Sequence, residues 1–156
     1  MAADKRHKWI LGVLFLAYLA VLCYFLFFSE NFGRMGIRRE YRYNLVFFEE
    51  ITRFADYRTN PYLGFGDFFI NVIGNILAFM PLGFFLPALC GMRKKGILVV
   101  FCCFALSLLV ECVQLVGKLG CFDVDDLFLN TLGGLLGYLV YRIVYWLAGK
   151  KSKRKG

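Results

Sequence analysis

The chain has 156 residues, 60% of them hydrophobic, a mean hydropathy of +0.61 and a formal net charge of +8. An apolar share this high lies outside the usual composition of a soluble domain, and basic residues that flank apolar runs, rather than forming a stripe interleaved with aromatics, argue against nucleic-acid binding. With three prolines and one long polar tract, the sequence reads as a single membrane domain over 9–147 between basic tails at 1–8 and 148–156.

Four apolar runs reach the roughly 20 residues a bilayer-spanning helix needs. The first, 9–28, follows Lys5, Arg6 and Lys8; its core exceeds that of a secretory signal and no small-x-small site closes it, so it is expected to stay as an anchor. An outer segment, 29–67, follows. Within it, 43–57 (YNLVFFEEITRFADY) interleaves apolar and charged residues at helical period, which predicts a short amphipathic or re-entrant element at the headgroup layer. The second run, 68–89, carries Asn71, Asn75, Pro81 and Pro87, with a bend expected at Pro81. The third, 97–116, carries Glu111 and Gln114 near its end. The fourth, 126–147, starts beside Asp123, Asp125 and Asp126 and then has no charge from 127 to 141. Spanning segments must satisfy their own backbone groups, and these runs lack the alternation of barrel strands. The expected fold is therefore an all-α membrane protein of about four transmembrane helices plus the outer segment.

Basic residues cluster before the first run, between the second and third, and after the fourth. With four spans these ends share one face, which carries twelve basic residues against one acid, Asp4; the other face carries seven basic residues and ten acids. The positive-inside rule then places both termini in the cytoplasm of a plasma membrane. Asn71 and Asn75, Glu111 and Gln114, and Asp126 and Asn130 are spaced i,i+3 or i,i+4, so each pair shares a helix face. All three pairs fall at one depth near the outer boundary. Ionisable groups inside spans are costly and mark candidate sites. Acids also cap helix N-termini, which accounts for one of the three aspartates, but not for Glu111 near a C-terminus.

Gly133 and Gly137, widened by Gly134, form a small-xxx-small step, as do Gly74 and Ala78, and more weakly Gly83 and Pro87. The single histidine, His7, lies at the far end from the acids, which excludes a Ser-His-Asp or Cys-His catalyst there, and the six cysteines show no CxxC spacing.

Three stretches in order, FINVIGNILAFMPLGFFLPAL, ECVQL and GCFDVDDLFLNTLGGLLGYLVY, preceded by YNLVFFEEI, resemble the VanZ-like family of bacterial membrane proteins over 43–142. The resemblance implies a small multi-spanning protein whose named member lowers susceptibility to teicoplanin-type glycopeptides. It maps the motif polar residues to Asn44, Asn71, Asn75, Glu111, Gln114, Asp123, Asp126 and Asn130. Two positions depart from the pattern: Phe47 stands where many relatives have proline, and Gly120 where some have arginine.

Together these residues predict an outward-facing acidic, amide-rich pocket, with membrane lipids as neighbours and a lipid-linked cell-wall precursor or a cationic lipoglycopeptide as ligand. Mg²⁺, held by one or two carboxylates and a phosphate, is a possible cofactor. Two alternatives stand beside a binding role. One is an enzyme acting on a lipid-linked intermediate, with Glu111 and Asp126 or Asp123 as acid–base pair. The other is a small transporter.

Overall fold

The computed structural model of the chain describes residues 2–28, 41–48, 52 and 65–153. The four apolar runs close into helices α1 (Ala2–Phe28), α2 (Phe65–Leu89), α3 (Gly96–Val116) and α4 (Val124–Lys153). Among the described residues, four helices are long and apolar enough to cross a membrane, over Arg6–Phe27, Asn71–Leu89, Gly96–Val116 and Val124–Lys150. Each also turns large apolar side chains outward, as Leu16, Leu77, Phe101 and Leu139 do, which suits a lipid surround. Gly91, at φ +69°, ends α2 in the left-handed conformation that glycine adopts without strain.

Two strands of two residues complete the described fold. β1 (Tyr43–Asn44) pairs in parallel with β2 (Phe122–Asp123), Tyr43 opposite Phe122 and Asn44 opposite Asp123. The helix expected over 43–57 is therefore extended at its start, because the backbone there bonds to the chain entering α4. Phe122 N–H donates to the Arg42 carbonyl at 3.0 Å. Residues 49–51 and 53–57 of that expected helix lie outside the described residues.

The core is built where α2 and α4 meet. Cβ atoms at Gly133 and Gly137 would fall on the main-chain carbonyls of Ile76 and Met80, and one at Gly83 on that of Gly134. Only residues without side chains let two backbones come so close. Gly134 also faces the Cys103 side chain of α3, so α4 meets both neighbours at this level. Gly74 has open space around it, so the step is not a close backbone contact like that of Gly133 and Gly137, and only its Ala78 end packs against the core. The helix passes unbroken through Pro81 and Pro87. The one backbone bond that Pro81 removes is tolerated because α4 clamps α2 on both sides of it, at Met80 and Gly83.

A buried cluster of Leu22, Leu26, Phe79, Leu82, Val99, Cys103, Val110 and Tyr138 ties all four helices together. On α3 the buried residues Val99, Cys103, Ser107, Val110, Glu111 and Gln114 follow helical period, so a single stripe is apolar at one end and polar at the other. α1 leans on this core through Phe15 and Tyr18 against Phe85, and the Tyr18 hydroxyl donates to the Ala78 carbonyl at 2.7 Å.

Candidate functional site

The polar end of the α3 stripe meets the start of α4. Glu111 is buried, and its Oε2 accepts the backbone N–H of Asp123 at 3.1 Å. Asp123 is buried and caps α4: its Oδ1 accepts the N–H of Asp125 at 2.8 Å, and its Oδ2 accepts Asn44 Nδ2 at 3.3 Å. Asn44 Oδ1 in turn accepts the N–H of Val46 at 3.1 Å, which turns the chain out of β1. Asp125 Oδ1 then accepts the N–H of Phe48 at 2.6 Å. Phe48 has φ +64°, a left-handed backbone costly for an aromatic residue, and this bond together with its edge-on contact with Phe128 holds it there. Glu111, Asp123, Asp125 and Asn44 thus form one frame that fastens the outer segment to the mouth of the bundle.

A second link joins α2 to α4. Asn75 Nδ2 donates to Asp126 Oδ1 and lies within 3.5 Å of Asn71 Oδ1. A third joins α3 to α4 one turn deeper: Asn130 Nδ2 donates to Ser107 Oγ at 3.0 Å, while the buried Asn130 Oδ1 has no protein partner. Gln114 stands apart from these links. Its Nε2 donates to the Leu26 carbonyl at 2.9 Å, satisfying a main-chain acceptor in the last turn of α1. So the structure brings Asn44, Glu111 and Asp123 into one network, Asn71, Asn75 and Asp126 into another, and Asn130 below them, and it gives Gln114 to α1. Ser107 is a member the sequence reading missed; it lies four residues before Glu111 on the same face, and that spacing is the signal that could have found it. Among the described residues, no three carboxylate, thiol or imidazole side chains are placed to hold a metal ion.

Burial pushes the Asp123 carboxyl above its ordinary value of 3.8, against the lowering effect of the Asp125 N–H and the Asn44 amide. Between the two values the folded chain holds a proton that the unfolded chain has released. The contribution of Asp123 to stability is therefore greatest in acid, falls as pH rises from about 3.8 through the raised value, and is flat above it. Thermal unfolding in detergent should show this slope, and Asp123→Asn should remove it. Asn retains the cap acceptor but sets an amide against Asn44, so the variant should cost about 1 kcal/mol, and Asp123→Ala about 2 kcal/mol.

Comparison with known proteins places this polar layer in context. A profile of the VanZ/LLP1 family matches residues 15–145. The chain belongs to the VanZ/LLP1 family. Protein VanZ of Enterococcus faecium is 33% identical over 82 residues, which cover 52% of this chain and 49% of that relative. The chain therefore spans about half the length of the curated relative it matches. No solved structure matches it. The VanZ/LLP1 match runs from within α1 to residue 145, past the middle of α4, so it takes in every polar link described above.

Proposed function

We propose that this protein lowers susceptibility to teicoplanin-type lipoglycopeptides through the polar layer at the mouth of its bundle, facing the cell wall. The observation that carries the reading is that layer itself: in an apolar four-helix bundle, α2, α3, α4 and β1 all bring carboxylates or amides to one end. Family membership supports the class of activity. Glu111, Asp123 and Asp125 accept backbone N–H groups and build the frame. Asp126 accepts a side-chain amide instead and is only half-buried, which makes it the charge best placed for a ligand. A cationic lipoglycopeptide, or the phosphate of a lipid-linked precursor bridged by Mg²⁺, suits such a group. Expression in a susceptible Gram-positive host should raise the inhibitory concentration of teicoplanin; an unchanged value would sink the reading.

The outward orientation rests on the charge asymmetry of the loops. It has its own test, in a chain whose six native cysteines are replaced. A cysteine at Lys118 should react with a membrane-impermeant thiol reagent in intact cells, and one at Lys150 should not. The reverse pattern would turn the layer towards the cytosol.

A further inference from the structure

We propose that the cleft at the opposite, basic end of the bundle is a seat for the phosphate headgroup of an anionic phospholipid. The cleft has a volume of about 760 Å³ and is lined by Arg93 and Lys94 from the α2–α3 loop and by Arg142, Tyr145, Trp146 and Lys150 from α4. Four cations are gathered there, and among the described residues its lining contributes no carboxylate. Like charges brought together repel, so their arrangement has to be held.

Tyrosines hold it. Arg93 donates to the Tyr145 hydroxyl at 3.0 Å and lies 4.8 Å over that ring. Arg142 donates to the Tyr138 hydroxyl at 3.1 Å, and that hydroxyl donates to the Arg93 carbonyl at 3.1 Å, so the loop is pinned to α4. Lys150 sits 4.1 Å over Trp146. These contacts orient each guanidinium yet engage few of its five donors, and the planar fork that remains matches a phosphate.

Depth selects the source of that phosphate. Arg142 lies nineteen residues beyond Asp123, about 28 Å at the helical rise, which is close to the hydrocarbon thickness of a bilayer. With the aspartates at one boundary, the cleft lies in the opposite headgroup layer. Tyr145 and Trp146 are half-exposed there, as interfacial anchors are, and Ile143 adds apolar wall where the first acyl carbons would lie. A free phosphate has no use for that wall.

The chain has two tryptophans, and Trp9→Phe leaves Trp146 as the reporter within the cleft. The full chain carrying this change would be reconstituted into phosphatidylcholine vesicles containing brominated phosphatidylglycerol or brominated phosphatidylcholine. Brominated phosphatidylglycerol should quench Trp146 with about fivefold preference, the scale set by a basic residue at an anionic surface. Lys94→Gln/Lys150→Gln removes two exposed cations and should bring the two lipids towards parity. Arg6→Gln/Lys8→Gln removes the same charge at the same end, away from the cleft, and should leave the preference intact. Equal quenching by the two lipids, or a preference unchanged in Lys94→Gln/Lys150→Gln, would overturn the proposal. Loss of the preference on adding inorganic phosphate at constant ionic strength would reassign the cleft to the free ion and overturn it too.

Discussion

Gly137→Val should leave little folded protein. A side chain at 137 meets the Met80 carbonyl and then the Phe84 backbone, neither of which can rotate away. The α2 and α4 axes would have to separate, which would also pull Gly133 from Ile76 and Gly134 from Gly83. Overpacking at a contact with backbone should fall at the upper end of the usual range, about 3 kcal/mol, and nothing in the lipid compensates, because helix association there rests on packing. The measurement is the monodisperse fraction after detergent extraction, with Gly74→Val as control. Gly74 lies on the same helix as Gly83 in open space, so its variant should extract like the wild type. Equal recovery of both variants would mean that α2 and α4 are not packed backbone to backbone.

The second large effect is expected at Asp126. Asp126→Asn retains a side-chain acceptor for Asn75 and replaces only the second carboxyl oxygen by an amide, so the chain should insert and extract normally while protection against teicoplanin is lost. Asn75→Ala removes a donor to a carboxylate between two helices and should cost about 1.5–3 kcal/mol of stability. The exchange Asn75→Asp with Asp126→Asn separates structure from charge placement. It rebuilds the amide–carboxylate link with its ends reversed, so stability should return. Activity should not return, because the charge then sits on α2 and no longer beside the α4 N-terminus. Restored protection in the exchanged chain would reduce Asp126 to a helix-linking role. Such coupling between contacting residues is read as departure from additivity in the double mutant.

The sequence made the four helices legible because an apolar run of spanning length has few other solutions. The level of the polar layer was legible for a similar reason: Asn71, Glu111 and Asp126 sit at comparable distances from their helix ends. The Gly133–Gly137 step was readable as a contact, whereas the Gly74–Ala78 step has the same spacing but open space at Gly74; spacing gives a helix face but not what lies opposite it. The β1–β2 pairing left no trace, since two residues are too few for an alternating pattern. Gln114 was grouped with Glu111 because they share a face, yet its partner is a main-chain carbonyl of α1, and such an acceptor has no side-chain signature. That one of the three aspartates caps α4 was readable from their position at a helix start; that it is Asp123 was not, because the helix begins two residues earlier than the apolar run suggests. That Glu111 binds the N–H of that same capping residue is a tertiary fact, and it explains why an acid is buried near the end of α3.

The central claim is that the polar layer works as a functional unit in protection against teicoplanin, and Glu111→Gln tests it most directly. Gln is isosteric and still offers an oxygen to the Asp123 N–H, so the frame at the bundle mouth should persist, while the carboxyl's second oxygen is replaced by an amide donor. The inhibitory concentration of teicoplanin would be measured in a susceptible Gram-positive host expressing wild type, Glu111→Gln or empty vector, with membrane levels matched by immunoblot. The account predicts a several-fold rise for the wild type and a value at the vector level for Glu111→Gln. Full protection by Glu111→Gln at matched levels would contradict it.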